Sequence, residues 1–408
     1  MKQQYLTLRG ISAPVRLSGM GSAAALLAGY FRKWPYRIAE SSDKASFATL
    51  TLMDGRHTIE TAFSDEPRHH RTAVNAICDL VAAAARQRTV ERQAEMCLHA
   101  AAVQFAGSLV VFPATRRAGK SVLTAACCAR GHSVFGDDVL PVSAAPGQII
   151  QGIAIGAPVR LRRPVLASAP DWFVRFADAH AGPGNAQYLY LDAAGVAENG
   201  QRAPIGALVL PDRRPGEPAR TEPIAPDEML KVLLHQNFAR QADADHILRT
   251  LFALAEGLPA FRLVYDDLTE AVGLLEDRFA EASLPGVMAP EPSAHPSAPP
   301  ETVPDDPILP LVQCPGAMIR ELGGQAFATN RHLTRIMALD PMARGVWDML
   351  SEPVSEADAA SIIAAAFPQT DTATIRRDTK ALFDGLRRAG LVVGASGPAE
   401  PSSGNARP

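Results

Sequence analysis

The stretch LVVFPATRRAGKSVLTAACCARGHSVFGDD, residues 109–138, decides the predicted fold. An apolar run at its start predicts a strand, and the small and apolar residues after Gly119 predict a helix that ends at Gly131. A second short apolar run follows and ends in two aspartates. This order of strand, loop, helix and strand is typical of an α/β nucleotide-binding core.

The loop ATRRAGKS, residues 114–121, has the ending of a phosphate-binding loop. Such a loop needs backbone N–H groups and a helix N-terminus directed at the anion, a lysine that reaches the phosphates, and a hydroxyl that binds magnesium. Lys120 and Ser121 supply the last two, which predicts a site for ATP and Mg²⁺. The residues expected to bind the nucleotide are Ala114, Thr115, Arg116, Arg117, Ala118, Gly119, Lys120, Ser121 and Val122.

Two positions of this loop depart from the usual pattern. Ala114 stands where the first glycine is expected, and Arg117 stands where a glycine often relieves backbone strain, so the alternative is a helix start in an unrelated fold. The aspartates favour the nucleotide site. Asp137 and Asp138 end the second strand, where carboxylates beside a phosphate loop hold magnesium or accept a proton from an attacking hydroxyl. A solvated turn or a helix cap is the alternative for such a pair.

The composition is that of a globular protein with a buried core. Hydrophobic residues make up 47% and charged residues 20% of the 408 residues, and the formal net charge is −3. This balance argues against nucleic acid as a partner, because nucleic-acid-binding proteins are usually basic. No apolar run reaches the roughly 18 residues that span a bilayer, and the N-terminus lacks a signal peptide, so we expect a cytoplasmic protein without a membrane partner. The five cysteines lack metal-ligand spacing, and Cys127 and Cys128 are expected to be small buried residues.

The length predicts two or three domains. Residues 1–92 are expected to form an α+β region, in which FATLTLMDG is a strand and a turn and RTAVNAICDLVAAAARQ is an amphipathic helix. The nucleotide-binding domain is predicted at residues 93–283 and a compact C-terminal domain at residues 308–395. The Pro-, Ala- and Ser-rich residues 284–307 favour an extended linker between them, and residues 396–408 are a predicted disordered tail.

Residues 98–142 resemble the catalytic core of the HPr serine kinase/phosphorylase family. In that family a strand with a histidine, a phosphate loop, an RGH segment and an aspartate pair follow in this order; here they are His99, the loop ending in GKS, residues 130–132 and residues 136–138. GAPVRLRRPVL (156–166) and GLPAFRLVYDDLTEAVGLL (257–275) are similar to later segments of HPr-kinase-related proteins. The resemblance spans residues 95–280 and implies an α/β, P-loop, HPr-kinase-like core.

This resemblance implies a role for each matching residue. Lys120 and the loop amides would hold the phosphates, Ser121 and Asp138 would bind magnesium, and Asp137 would be the general base towards a serine or threonine hydroxyl. His99 is a further catalytic candidate, although a single histidine on a strand is more often a core residue. The chain carries no convincing copy of the family's later acidic loop or phosphorylase signature, so neither the reverse reaction nor HPr as substrate is implied.

The C-terminal domain reads as a small sheet and three helices, the first beginning at Pro341, which is the pattern of an α+β winged helix. Ser355 and Asp358 form a capping pair for the second helix, and Gly390 ends the third. The residues of the third helix expected to face the core or a groove are Ile375, Leu382, Phe383 and Leu386.

This domain resembles PqqD-like domains, the recognition elements of ribosomally made peptide pathways, which bind a leader peptide as an extra strand. The resemblance implies that a precursor or leader peptide docks on the strand Arg335–Asp340 and on the helix at residues 372–390. The helix face for the peptide would include Arg376, Thr379, Lys380 and Phe383. A DNA-binding winged helix is the alternative, with phosphate contacts from Arg376, Arg377, Arg387 and Arg388, but Asp378 and Asp384 on the same helix weaken it.

These observations predict an ATP-dependent serine/threonine kinase that phosphorylates a ribosomally made peptide or small protein recruited by its PqqD-like domain. One alternative is a peptide adaptor without catalytic activity, in which the nucleotide site is degenerate. A kinase acting on a protein such as HPr is the other, and a homo-oligomer is left open by the resemblance.

Overall fold

The computed structural model describes residues 3–19, 23–53, 56–64, 66–92, 95–113, 118–164, 168–192, 195–237, 244–279, 284–291, 310–322, 325–330 and 336–395. The chain forms two compact units, Met1–Pro292 and Ser293–Pro408, each with buried apolar clusters of its own. The fold is mixed α/β, with several sheets and ten helices among the described residues. None of the helices in this described part combines the length and the hydropathy that a bilayer crossing requires.

The N-terminal region of the first unit is a sheet covered by a long helix. Its elements are β1 Gln4–Leu8, β2 Val15–Ser18, α1 Ala23–Tyr30, β3 Tyr36–Ala39, β4 Ala48–Met53, β5 Arg56–Thr61, β6 Arg68–His70 and α2 Ala73–Glu91. The strand order is β3-β1-β2-β4-β5-β6. Ile77, Leu80 and Ala84 of α2 recur at helical spacing and are buried with Leu50 of β4. The predicted strand and amphipathic helix of this region are confirmed as β4 and α2.

The remainder of the first unit contains the predicted nucleotide-binding core. The elements up to residue 191 are β7 Glu95–Leu98, β8 Ala101–Phe105, β9 Ser108–Phe112, α3 Lys120–Ala129, β10 Ser133–Gly136, β11 Leu140–Ser143, β12 Gln151–Ile153, β13 Val159–Arg162, α4 Asp171–Ala179, β14 Ala181–Gly184 and β15 Tyr188–Leu191. The later elements are β16 Arg202–Arg213, β17 Arg220–Pro223, α5 Pro226–Gln236, α6 Ala244–Gly257, β18 Ala260–Tyr265 and α7 Leu268–Phe279.

The central sheet of nine strands has the order β10-β8-β9-β16-β12-β11-β7, and β18 joins β16 to β17. β9, β16 and β18 run parallel, and every residue of β9 is buried, as expected for a strand covered on both faces. β8 lies between β9 and β10 and is antiparallel to both. β13, β15 and β14 form a separate sheet. The predicted strand, helix and second strand are confirmed as β9, α3 and β10, while most of the loop between β9 and α3 lies outside the described residues.

Local signals in this core behave as the sequence predicts. Ala106 and Gly107 have φ of 44° and 91°, which makes the tight turn between β8 and β9. Gly131, with φ of 95°, follows the end of α3. Cys127 and Cys128 are buried in α3, and burial raises the pKa of the Cys128 thiol to about 11.

The predicted linker begins later than residue 284, because residues 284–291 lie against the first unit. The Leu284 carbonyl accepts a hydrogen bond of 3.1 Å from the Ser108 hydroxyl, and the Val287 carbonyl accepts one of 2.8 Å from the Ile150 amide. The Ala289 amide donates to Gln148 at 2.7 Å. This segment still carries apolar residues to bury, unlike the Pro-rich sequence after it. Residues 292–307 and the predicted tail at 396–408 lie outside the described residues.

The second unit has the predicted small sheet and three helices. Its elements are β19 Leu311–Gln313, β20 Met318–Leu322, β21 Gln325–Thr329, β22 Ile336–Leu339, α8 Pro341–Met349, α9 Glu356–Ala366, α10 Thr372–Arg388 and β23 Val392–Gly394. The strands form the sheets β20-β21-β22 and β19-β23. α8 begins at Pro341 as predicted, after Asp340, whose carboxylate accepts from the Ala343 amide at 2.8 Å.

The capping predictions for this unit are also confirmed. The Ser355 hydroxyl accepts a hydrogen bond of 3.1 Å from the Asp358 amide and donates one of 2.6 Å to the Asp358 carboxylate. Gly390, with φ of 64°, ends α10. Of the predicted inward-facing residues of α10, Ile375, Phe383 and Leu386 are buried and Leu382 is partly buried.

Candidate active site

The end of the predicted phosphate loop is built around Gly119, the residue before α3. Gly119 has φ of 91°, in the left-handed region, and a Cβ added there would lie 2.6 Å from the Tyr265 hydroxyl. Only glycine therefore fits this position without strain. Lys120 is the first residue of α3 and its side chain is buried, while Ser121 is partly exposed. Four predicted nucleotide-binding residues, Ala114, Thr115, Arg116 and Arg117, lie outside the described residues.

Asp137 follows β10 and is only 6% exposed. Its Oδ2 accepts a hydrogen bond of 3.0 Å from the Arg160 amide, and within the described ranges its buried Oδ1 has no hydrogen-bond partner. Burial, followed by the charge of Asp138, raises the pKa of Asp137 to about 7, while the Arg160 amide and the Ser121 hydroxyl act in the opposite direction. The structure thus brings Asp137 together with Ser121, the hydroxyl at the start of α3.

Asp138 is held by a residue that the sequence analysis did not single out. Its carboxylate forms an ion pair with the guanidinium group of Arg160, which also donates a hydrogen bond of 3.1 Å to the Cys78 thiol. The same guanidinium lies 4.6 Å from the centre of the Tyr188 ring. Arg160 lies in GAPVRLRRPVL (156–166), which the sequence analysis matched to a family segment. That match gave no role to the arginine, so Arg160 was not predicted as a site residue.

A cavity of about 490 Å³ opens at the N-terminus of α3. Its lining comes from the end of the predicted loop and the start of α3, from β13, and from the ends of β15, β16 and β18. The lining residues include Ala118, Gly119, Lys120, Ser121, Val122, Asp138, Arg160, Arg162, Tyr188, Arg213, Tyr265 and Asp266. The Arg213 guanidinium bonds the Asp266 carboxylate at 2.9 Å and the Ser168 hydroxyl at 2.7 Å. The five predicted nucleotide-binding residues that are described, 118–122, therefore line one cavity.

Two observations fit this cavity to a magnesium nucleotide. Gly119, Lys120 and Ser121 line the cavity at the N-terminus of α3, where backbone N–H groups and the helix dipole favour a phosphate. The buried Oδ1 of Asp137, for which the described residues offer no donor, would be satisfied by a cation or a proton. Ser121 and Asp138, the two predicted metal ligands, both line this cavity, and the Asp138 carboxylate is paired with Arg160.

A second cavity, of about 370 Å³, lies on the other side of the aspartates. His99, the further catalytic candidate, lines it together with Asp137 and Asp138. The His99 amide donates a hydrogen bond of 2.7 Å to the Gln236 carbonyl, which fixes the backbone just after β7. His99 and Asp137 thus line this cavity, Lys120 and Ser121 line the first one, and Asp138 lines both.

Residues of the RGH segment have a structural role. The Arg130 guanidinium and the His132 ring both bond the Glu276 carboxylate, at 2.8 Å and 3.0 Å. These contacts tie the C-terminal end of α3 to α7. The hydrogen bond from Arg130 is the main cause that lowers the pKa of Glu276.

The predicted peptide-docking elements of the second unit agree with the structure only in part. β22 is hydrogen-bonded to β21 and, within the described ranges, forms the edge of its sheet, while Arg335 lies outside those ranges. Arg376 and Lys380 of α10 are exposed. Thr379 and Phe383, predicted on the same face, are 3% and 1% exposed, because they pack into the core of the unit instead.

Comparisons with known proteins bear on the two units differently. Residues 328–392 match the family described as coenzyme PQQ synthesis protein D (PqqD). No curated protein matches the chain. The solved structures similar to the chain include the Hpr(Ser) kinase/phosphatase from Coxiella burnetii, with 13% identity and a TM-score of 0.23 over 45% of this chain and 95% of that chain. The second unit therefore contains a PqqD domain at residues 328–392.

Proposed function

We propose that the first unit is an ATP-dependent serine/threonine kinase and that its substrate is a ribosomally made peptide, or small protein, recruited by the PqqD domain. The observation that carries this proposal is the buried Asp137 beside Ser121 at the N-terminus of α3, preceded by Gly119 and Lys120. A helix N-terminus and a lysine attract phosphate, and a buried carboxylate next to them can serve a reacting hydroxyl.

The chemistry divides among these residues. The amides at the start of α3 and Lys120 would bind the phosphates of ATP, and Ser121 with Asp138 would hold Mg²⁺, which would supply positive charge for the transferred phosphoryl group. The substrate hydroxyl oxygen forms a bond to the γ-phosphorus while the bond to the β,γ-bridging oxygen breaks and ADP leaves. Asp137 accepts the hydroxyl proton, and its pKa of about 7 suits a general base near neutral pH.

The PqqD domain gives the proposal its substrate class. PqqD-type domains serve as peptide recognition elements, and β22 offers an edge strand on which an extended segment can add. The predicted linker between recognition and catalysis would give a local substrate concentration in about the millimolar range. A leader bound to the domain therefore keeps a serine or threonine of the same peptide available to the kinase.

A peptide adaptor is the second candidate, favoured by the ion pair between Asp138 and Arg160, which keeps one predicted magnesium ligand occupied. The two candidates separate in a transfer assay with Mg²⁺, γ-labelled ATP and a synthetic library of unstructured serine and threonine peptides. A kinase labels the library, and Asp137→Asn lowers the labelling by about 10²–10⁴-fold while ATP still binds. The matched control is Asp178→Asn, an exposed aspartate of α4. An adaptor binds peptide but labels none of it.

A further inference from the structure

We propose that the 370 Å³ cavity is the acceptor site of this kinase and that it takes a serine or threonine within an extended segment of the peptide substrate. The inference rests on the proposed function and adds where, and in which conformation, the hydroxyl enters. It also gives a role to the N-terminal region, for which the sequence indicated none.

The position of the cavity relative to the nucleotide site carries the first step. Asp138 and Arg160 line both cavities, so they form the partition between them. Asp137 lines the acceptor side, while its interaction with Ser121 reaches the nucleotide side. A hydroxyl in the 370 Å³ cavity therefore lies beside the proposed base, and it reaches the transferred phosphoryl group once the pair of Asp138 and Arg160 separates, because in-line transfer requires direct contact between the reacting atoms.

The N-terminal region builds one wall of this cavity. Cys78, Asp79, Ala82 and Arg86 line it, and their spacing places them along one side of α2, away from the buried face that packs on the sheet. Tyr30 of α1 and Arg68 of β6 extend the same wall. The opposite wall comes from the nucleotide-binding core.

The lining suits a short side chain on an extended backbone. Val81, Val139 and Ile155 give apolar surface, and Asp137, His99 and Tyr190 add polar groups to the lining. The volume is near the lower end of the about 300–1,000 Å³ found for small-ligand pockets. We therefore assign the cavity to a short side chain of an extended segment, because its volume is small.

Arg160 is the positioning residue of this partition. Its amide bonds Asp137 at 3.0 Å and its guanidinium pairs with Asp138, while the Cys78 thiol lies 3.1 Å from the same guanidinium. Cys78 in turn contacts the Tyr190 hydroxyl. This network links the wall from α2 to both aspartates.

The test uses a substitution in α2 that fills the 370 Å³ cavity at a residue that does not line the nucleotide cavity. Ala82→Phe places a ring in the cavity, and Val90→Phe is the matched control, because Val90 is 44% exposed on the same helix. Each protein is mixed with Mg²⁺, γ-labelled ATP and either the unstructured serine and threonine peptide library or small alcohols, glycerol and free serine. Calorimetry with Mg²⁺ and ATP is run on the same samples.

We expect Ala82→Phe to lower peptide labelling by about 10-fold or more, with ATP affinity unchanged and Val90→Phe equal to wild type. Equal labelling by Ala82→Phe and wild type would overturn the proposal, since the acceptor would then enter elsewhere. The proposal would also be overturned if the wild-type protein labelled only the small alcohols, or if it bound ATP but labelled none of the acceptors. If the wild-type protein does not bind ATP, the result would instead contradict the proposed kinase function.

A second measurement keeps the inference testable if Ala82→Phe does not fold. In a Cys314→Ser background, Cys78 is the remaining partly exposed cysteine among the described residues, since Cys97, Cys127 and Cys128 are buried. Alkylation of folded protein by iodoacetamide then places a group in the acceptor cavity. We expect alkylated protein to bind ATP and lose peptide labelling. Full labelling after complete alkylation of Cys78 would contradict the assignment.

Discussion

At the scale of single residues, the burial of Asp137 disfavours its charged form. A buried carboxylate loses the solvation of its charged form, and the neighbouring charge of Asp138 adds to this penalty. Arg160 compensates only in part, through its amide and its ion pair with Asp138. Such a group persists where function requires it, which gives a prediction about stability.

Replacement of Asp137 by Asn should stabilise the protein when nucleotide is absent and metal is chelated, and more so at high pH. The pKa of Asp137 is about 7 in the native state and about 4 in the unfolded state, so between these two pH values the native state binds a proton that the unfolded state has released. The free energy of unfolding of the wild-type protein therefore falls as the pH rises from about 4 to about 7. Denaturant unfolding should show the variant gaining roughly 2–4 kcal/mol over wild type between about pH 4.5 and 8. Asp178→Asn is the control, and a gain independent of pH would refute this account.

Gly119→Ala should weaken ATP binding. The new Cβ meets the Tyr265 hydroxyl at 2.6 Å, and a φ of 91° costs an alanine about 1–2 kcal/mol. We expect at least about a tenfold loss of affinity by calorimetry. Gly273→Ala in α7 is the control, since a Cβ there meets no atom within 4 Å and should leave binding intact. Unchanged affinity in Gly119→Ala would show that this turn does not contact the phosphates.

At the scale of elements, the sequence predicted what local patterns encode. The start of α8 at Pro341, the end of α3 at Gly131 and the cap of α9 at Ser355 each follow from residues a few positions apart. The position of β8 between β9 and β10 depends on long-range pairing, which no local pattern carries. For the same reason Arg160 and Cys78 were missed as site residues, because they meet across 82 positions of the chain.

The tie between α3 and α7 gives a prediction at this scale. Glu276→Gln removes the charge that holds Arg130 and His132, and it should lower stability by about 1–2 kcal/mol without changing ATP affinity. Thermal unfolding and calorimetry on one preparation measure both quantities. A loss of ATP affinity at constant stability would mean that the RGH segment belongs to the catalytic site.

At the scale of the whole molecule, recognition and catalysis are assigned to different units. The PqqD match covers 328–392, and the proposed catalytic residues all lie in the unit Met1–Pro292. The proposed nucleotide site alone indicates neither the class of substrate nor how the substrate is brought to the first unit. The burial of Thr379 and Phe383 also shows that helical spacing by itself does not separate a binding face from a core face.

Removal of residues 293–408 should therefore raise the KM for the peptide far more than it lowers kcat. The tether supplies an effective concentration, so its loss should cost about 10²-fold or more in KM while the phosphoryl-transfer residues remain in place. Steady-state kinetics with a peptide that carries its leader measure both constants. Equal losses in KM and kcat, or no effect, would contradict recruitment by the second unit.

The central claim is that the N-terminus of α3 binds a nucleotide, and calorimetry with Mg²⁺ and ATP on the intact protein and on Lys120→Ala tests it most directly. We predict binding in about the micromolar range that is abolished or strongly weakened in the variant, because the buried lysine lines the cavity at the start of the helix. Absence of binding to both proteins, or equal binding by both, would contradict the proposed kinase and leave the chain a peptide adaptor.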